Sequence, residues 1–320
     1  MKFISRWTMA FLVAAVLTQT GFAQDKDKDK ERDIFNYVAH KAAGKDVKKV
    51  VFIAGIESHG PKGNHEFRAG AVYLARTLNE KYPNCYAVVY PNNRWPKDLA
   101  HADSVILLLN GGDKAATDPA VVGAVDKGAG FMAVHWAVEV KKGKESDNYL
   151  KWMGGYFEAF YSVNPFWVAK FDKIPNHETT RGVKPFSIRD EWYYHMRFVP
   201  DMKGVTPVLS ALPDIKTITD RWTTEKASMR DGNPDALEAV RTRKPQHVAW
   251  AYDRPDGGRG FGFTGYHVYG NLKNDSFRTL LLNASAWVSK LEVPKDGIAT
   301  PTPTDEDLDR YYAEGLRMSK

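Results

Sequence analysis

Cysteine is almost absent from this sequence of 320 residues, which contains only Cys85. A single thiol cannot close an internal disulfide, so the fold must rely on its core alone. Cys85 also opens a predicted strand, at the amino edge of the sheet and opposite the edge where parallel sheets bind ligands. Nucleophilic catalysis by cysteine is therefore not expected, and Cys85 is interpreted as a small buried apolar residue.

Several catalytic and cofactor motifs are also missing. The chain has no G-x-S-x-G elbow, so a serine triad has no support. It has neither a dinucleotide fingerprint nor a Walker loop, because the glycine-rich segment at 257–262 has the wrong spacing and leads into a strand. The metal-binding spacings H-E-x-x-H and paired cysteines are absent as well. No cofactor is therefore assigned, and a divalent metal is left open.

The chain also lacks a strong excess of one charge and a long apolar run. Its formal net charge is +6, which falls by two to +4 without Lys2 and Arg6, and the charges alternate in sign along most of the chain. Nucleic-acid binding is therefore disfavoured. The apolar stretch at 9–17 is shorter than the roughly 20 residues that a membrane-spanning helix needs, so no stable membrane span is expected.

The first 23 residues have the layout of a secretory signal peptide. Lys2 and Arg6 precede the apolar stretch, and the small residue Ala23 follows it. Cleavage near Ala23 predicts a periplasmic or secreted protein, and an uncleaved membrane anchor is the alternative. Residues 24–47 are interpreted as a charged tether and lead-in, because their first ten residues contain no apolar side chain that a core could bury.

Short apolar runs alternate with helical patterns from residue 48 onward. This alternation predicts an α/β fold in three layers, with a parallel sheet flanked by helices. The predicted strands lie at 50–56, 85–91, 104–110, 130–137, 247–252 and 260–268. Helices are predicted at about 66–82 and 275–291, because each segment has an apolar stripe that fits packing on a sheet.

The predicted domain covers residues 48–293, with insertions over the carboxyl edge of its sheet. The region at 139–198 is rich in aromatic residues and is expected to form strands and long loops that cover a crevice and exclude water from it. Residues 214–245 lack a sustained period, so we expect a surface excursion with little regular structure and assign it no chemistry. The tail at 294–320 is expected to wrap the surface or stay loose.

Histidines mark the ends of three predicted strands. His135 ends the apolar run GFMAVHWA, His59 and His65 lie in the loop after the first strand, and His267 lies near the end of the last predicted strand. Ligands bind at the carboxyl ends of parallel strands, and imidazoles suit both proton transfer at neutral pH and metal ligation. His135 and His59 are therefore predicted to be catalytic. A solvent-facing or structurally hydrogen-bonded histidine is the alternative in each case.

Two adjacent carboxylates lie in the segment RDEWYYH, which begins at Arg189. In an extended segment only one of Asp190 and Glu191 can face the crevice, and Glu191 is chosen as the catalytic partner of His135. The alternative is that both acids pair with Arg189 or Arg197 and hold the loop. Aromatic side chains beside carboxylates also suit sugar binding, because rings stack on the apolar faces of sugars.

Four segments together resemble the ThuA-like family of trehalose utilisation. They are SHGPKGNHEF, GAGFMAVHWA, HETTRGVKPFSIRDEWYYH and GRGFGFTGYHVYGNLKNDSFRTLLLNASAWV. The resemblance covers about residues 48–293 and implies a fold like that of class I glutamine amidotransferases. In that fold the turn after GFMAV would hold a nucleophilic cysteine, whereas this chain has His135, so amidotransferase activity is not expected. Tyr266 replaces the glycine that is usual before the histidine, and it is expected to narrow the pocket.

The resemblance implies a carbohydrate ligand and a functional link to a nicotinamide-dependent sugar dehydrogenase that makes 3-keto sugars. The leading hypothesis is an exported hydrolase or lyase that acts on glycosides or 3-keto sugar derivatives. His135 and Glu191 would be its acid and base, and His59 would orient the sugar or stabilise charge. A non-catalytic sugar-binding protein and a periplasmic scaffold are the alternatives. The residues expected to contact substrate are His65, Glu66, Trp136, Asp190, Tyr266 and His267.

Overall fold

The apolar runs of the sequence build a seven-stranded, mostly parallel sheet within the residues that the structure describes. A computed structural model describes residues 47–56, 59–219 and 234–318. The predicted signal peptide and nearly all of the predicted tether lie outside the described residues. No helix of the described ranges is both long enough and apolar enough to cross a membrane.

Five neighbouring strands of the sheet run parallel to one another, and the two remaining strands, at one edge, each pair with their neighbour in the antiparallel direction. The strands are β1 (Lys48–Ala54), β2 (Cys85–Pro91), β3 (Ser104–Leu108), β4 (Gly130–Val134), β5 (Gly155–Tyr156), β6 (Phe166–Phe171), β7 (Phe186–Glu191), β8 (Arg197–Phe198), β9 (Val205–Ala211), β10 (Gln246–Asp253) and β11 (Arg259–Phe263). The order across the sheet is β2-β1-β3-β4-β11-β10-β9. Because β11 pairs in parallel with β4, the chain after β11 leaves the sheet beside His135.

Helices cover both faces of the sheet. They are α1 (Phe67–Lys81), α2 (Asp113–Thr117), α3 (Pro119–Val125), α4 (Lys144–Met153), α5 (Lys216–Thr219), α6 (Pro234–Arg241), α7 (Asp275–Val288) and α8 (Asp305–Arg317). Alternate residues of β1 enter two different cores. Phe52 packs in the core that contains Leu74 of α1, and Ile53 packs in the core that contains Val121 of α3. The predicted three-layer α/β architecture is confirmed.

The region at 139–198 contains more regular structure than its sequence suggested. Besides the expected strands it forms the helix α4, which buries Tyr149 and Trp152 against the sheet. The strands β6 and β7 pair as an antiparallel ribbon that ends at Glu191. The end of this ribbon delivers the two predicted carboxylates to the carboxyl edge of the main sheet.

The tail at 294–320 and the segment at 214–245 each contain helices that the sequence did not predict. The tail contains the helix α8, which begins with a capping box at Thr304. An ion pair of 2.7 Å between Arg76 Nε and Glu314 Oε2 connects α8 to α1. The tail therefore wraps the surface as a docked helix and is not loose. The supposed excursion at 214–245 forms α5 and α6, while residues 220–233 lie outside the described ranges.

A substitution at the start of β4 can test how the sheet packs against α7. A Cβ atom added at Gly130 would lie 1.9 Å from the carbonyl oxygen of Val288, so Gly130→Ala should lower the free energy of unfolding by about 1–3 kcal/mol through overpacking. Gly123 of α3 is the control, because a Cβ atom there meets open space. Gly123→Ala should raise stability by roughly 0.5–1 kcal/mol. Equal denaturation midpoints for both variants would contradict the packing described.

Candidate functional site

Four of the predicted side chains converge at the carboxyl edge of the sheet. One nitrogen or oxygen atom from each of His65, His135, Glu191 and His267 lies within 4.8 Å of the others. We call this group the histidine–glutamate cluster. Its members are 1%, 0%, 7% and 4% exposed, in the same order. The three histidines follow the parallel strands β1, β4 and β11, whereas Glu191 comes from the end of β7 in the separate antiparallel ribbon.

His135 follows β4 directly and takes a left-handed φ of 55°. Its Nδ1 lies 2.9 Å from the carbonyl oxygen of Thr264. Because a carbonyl oxygen only accepts, Nδ1 must donate, so Nε2 faces the cluster and can donate to Glu191 only when the ring is protonated. Nε2 lies 3.4 Å from Glu191 Oε2 and 3.3 Å from the hydroxyl oxygen of Tyr193. The strained turn therefore aims this imidazole inward.

His65 has the same backbone strain, with a φ of 55°. Its backbone N–H donates to the carbonyl oxygen of His267 at 2.9 Å, which ties the loop after β1 to the loop after β11. Its Nδ1 lies 3.3 Å from the carbonyl oxygen of His59, whereas its Nε2 is buried and has no hydrogen-bond partner. Burial, reinforced by the imidazoles of His135 and His267, lowers the pKa of His65 to about 3. The ring is therefore neutral at physiological pH.

Glu191 is the anion of the cluster. Its Oε1 accepts a hydrogen bond of 2.9 Å from Asn164 Nδ2, and its Oε2 lies 2.7 Å from His267 Nδ1. Burial by itself would raise the pKa of this carboxyl, but the hydrogen bonds and charge of His135 and His267 outweigh it and hold the pKa well below its usual range. Glu191 is therefore a carboxylate that two imidazoles share.

Asp190 holds the neighbouring loop and does not face the cluster. Its carboxylate is fully buried and accepts backbone N–H groups from Glu191, Tyr266 and His267 at 2.8, 2.8 and 2.9 Å. Asn271 Nδ2 also donates to it at 2.9 Å. Each oxygen of Asp190 thus has protein partners, and the structure gives this residue a positioning role instead of the expected contact with substrate.

Two further residues expected to contact substrate are directed elsewhere. Tyr266 is fully buried at a φ of 92°, and its hydroxyl would lie 1.6 Å from a Cβ atom added at Gly70 of α1. It therefore packs on α1 and does not narrow the mouth of the site. Glu66 precedes α1, and its Oε1 accepts a hydrogen bond of 2.8 Å from the backbone N–H of Gly63. This contact makes Glu66 part of the loop that carries His65.

His59 and Trp136 lie beside the cluster on more exposed positions. His59 is exposed, and its ring centroid is 4.4 Å from that of His65 and 6.2 Å from that of His267. Trp136 is half-buried, with its ring centroid 5.6 Å from that of His59. These two side chains border the cluster, and their contact with a ligand stays a prediction.

The structure adds three residues that the sequence reasoning did not single out for the site. Asn164 positions Glu191, Thr264 positions His135, and Tyr193 contacts His135. Tyr193 lies within the segment RDEWYYH and Thr264 within the segment GRGFGFTGYHVYG, whereas Asn164 lies in no segment that the sequence analysis quoted. The alternative pairing of the acids with arginine does not occur for Arg197, whose Nε donates to Glu158 at 2.9 Å.

A mostly parallel sheet with helices on both faces defines an α/β protein, and the buried histidine–glutamate cluster lies at the carboxyl edge, where ligands bind in such sheets. The family model described as "ThuA: Trehalose utilisation" matches residues 62–288. The chain therefore belongs to the ThuA family. This confirms the resemblance of the four sequence segments, and the sheet agrees with the glutamine amidotransferase-like fold that the resemblance implied.

Two solved structures are similar to this chain. A ThuA-like protein from Bacteroides uniformis ATCC 8492 is 17% identical, with 79% of this chain and 95% of that chain covered and a TM-score of 0.49. PurLQS from Thermotoga maritima is 12% identical, with 76% of this chain and 97% of that chain covered and a TM-score of 0.38. No curated protein matches the chain.

The role of Asp190 can be tested without any substrate. Asp190→Asn should lower the free energy of unfolding by about 2–3 kcal/mol, because the amide loses the charge and turns a donor toward backbone N–H groups. Chemical denaturation measures this loss. Asp172→Asn is the control, because Asp172 is an exposed residue that follows β6. A loss no larger than that of the control would show that Asp190 does not hold the loop.

Proposed function

We propose that this chain is an exported carbohydrate-active enzyme that acts on glycosides or their 3-keto derivatives. The observation that carries the proposal is the histidine–glutamate cluster, which gathers three imidazoles and a carboxylate at the ligand-binding edge of the sheet. Membership of a trehalose-utilisation family supports a carbohydrate as the ligand. The exposed ring of His59 and the half-buried ring of Trp136 adjoin the cluster and suit contact with a sugar.

The proposed reaction on a keto sugar is an elimination. A keto group acidifies the C–H bond on the neighbouring carbon, so a base of moderate strength can remove that proton. The electron pair of the C–H bond forms a carbon–carbon double bond, and the C–O bond to the leaving group on the next carbon breaks. The released alkoxide takes a proton from solvent and leaves as an alcohol. No covalent nucleophile is needed, which suits a site with an imidazole at the position of the amidotransferase cysteine.

His267 is the best-placed base of the cluster. Glu191 Oε2 lies 2.7 Å from its Nδ1, an arrangement in which a carboxylate orients an imidazole and stabilises its protonated form. His267 is 4% exposed, whereas His135 is fully buried below the same carboxylate. The proposal therefore gives proton transfer to the Glu191–His267 pair, with His135 supporting Glu191 from the interior. His59 would orient the sugar or stabilise charge on the leaving oxygen.

Substitutions in the cluster test this assignment. Glu191→Gln, His267→Ala and His135→Ala should each lower kcat on a chromogenic 3-keto-glucoside, by about 100- to 10,000-fold where a proton-transfer group is lost. His195→Ala is the matched control. His195 has a φ of 58° and an Nδ1 that lies 2.9 Å from the carbonyl oxygen of Tyr161, but it belongs to neither the cluster nor the residues beside it.

Two outcomes would count against the proposal. Unchanged turnover in the His267→Ala and Glu191→Gln variants would remove their role in proton transfer. Calorimetric binding of the keto-glucoside without any product after long incubation would instead indicate a non-catalytic sugar-binding protein.

A further inference from the structure

The histidine–glutamate cluster has the donor set and the second layer of contacts of a metal site. We infer that His65, His135, Glu191 and His267 bind a divalent first-row transition-metal ion, and zinc is the first probe. Three imidazoles and one carboxylate favour such ions, whereas calcium and magnesium prefer sites made of oxygen atoms. The inference rests on the geometry of the cluster and does not depend on the sugar proposed above.

The unpartnered nitrogen of His65 is the first observation. Its Nε2 is buried in a residue that is 1% exposed, and no atom of the described residues forms a hydrogen bond with it. Leaving a buried polar atom unsatisfied costs about 1–3 kcal/mol, so native proteins rarely keep one without a reason. Its Nδ1 faces the carbonyl oxygen of His59, which leaves the Nε2 lone pair available to a cation.

The second observation is that hydrogen bonds already orient the donor atoms. Metal-binding histidines usually donate their other ring N–H to a carbonyl or carboxylate oxygen. The Nδ1 of His135 meets the carbonyl oxygen of Thr264 at 2.9 Å, and the Nδ1 of His65 meets that of His59 at 3.3 Å. Glu191 is oriented in the same way, because Asn164 occupies its Oε1 and leaves Oε2 directed into the cluster.

The separations between the donor atoms would fit a bound cation after small shifts of the side chains. Zinc bonds to nitrogen and oxygen of about 2.0–2.2 Å place neighbouring tetrahedral ligands roughly 3.4 Å apart. His135 Nε2 and Glu191 Oε2 are already 3.4 Å apart, and the widest separation in the cluster is within 4.8 Å. Side-chain shifts below about 1 Å would therefore bring all four donors to bonding distance.

The buried charge of Glu191 points in the same direction. Its carboxylate is 7% exposed and accepts hydrogen bonds from Asn164 Nδ2 and His267 Nδ1 at 2.9 and 2.7 Å. A divalent cation would offset this buried negative charge, which otherwise relies on those hydrogen bonds.

The metal site would alter how the proposed reaction works. With a cation bound, His65, His135, Glu191 and His267 would hold it, and the cation would supply Lewis-acid polarisation of a substrate oxygen. Metal content and turnover are measured independently of each other. The metal proposal and the sugar proposal can therefore fail separately.

The test uses the full chain, purified with a tag that contains no histidine. Mass-spectrometric metal analysis should find about one equivalent of metal per chain. After treatment with a chelator the Tm should fall, and addition of zinc should restore it, because a ligand of the native state stabilises that state. Cobalt(II) added to the protein from which the chelator has removed the metal should produce visible absorption bands, as expected for a first-row ion held by nitrogen and oxygen donors.

Two variants and one control locate the metal. His65→Ala should abolish stoichiometric metal binding and the visible cobalt bands. Asn164→Ala should keep the fold and weaken zinc binding about 10- to 100-fold, because it removes a contact that only orients Glu191. His195→Ala should bind metal as the wild type does, since His195 lies outside the cluster.

Two outcomes would overturn the inference. They are a metal content near zero with no response to zinc or cobalt, and equal metal binding by the His65→Ala variant and the wild type. Neither result bears on the sugar proposal. Stoichiometric metal without any turnover would support the metal site and count against the sugar proposal.

Discussion

The carboxylate of Asp190 is fully buried, and the backbone N–H groups of Tyr266 and His267 donate to it at 2.8 and 2.9 Å. Burial of a carboxylate costs several kcal/mol unless hydrogen bonds replace its hydration. The loop after β11 must therefore remain where its N–H groups face the end of β7. This constraint places His267 beside Glu191. One acid of the adjacent pair therefore holds the loop, and the other belongs to the histidine–glutamate cluster.

The cluster gathers features that lower the stability of the fold. His65 and His135 both have left-handed backbone angles, a conformation that costs about 1–3 kcal/mol in residues with a side chain. His65 also buries a nitrogen without a partner. Such costs concentrate at functional sites, because a ligand or a reaction requires groups to be held in positions that packing alone would not select. Their coincidence at one edge of the sheet argues for a ligand site more strongly than any single distance does.

Strand periodicity was enough to predict where His135 would lie, because a continuous apolar run in a parallel sheet ends at the ligand-binding edge. The direction in which the Tyr266 side chain points could not be predicted, because it depends on a φ of 92° that no sequence pattern indicates. The division of roles between Asp190 and Glu191 was equally hidden, because it depends on N–H groups far away in the chain. No metal motif was visible for the same reason, since the four donors belong to four separate segments.

The insertion at 139–198 completes the cluster at the edge of the main sheet. The turn after β4 places the His135 side chain over the sheet edge, and the inserted ribbon supplies Glu191. Asn164 of the insertion orients that carboxylate. The cluster therefore exists only because residues of the sheet and residues of the insertion meet. The groups that gather at the ligand-binding edge of such a sheet can then differ with what an insertion delivers, while the sheet itself keeps its order.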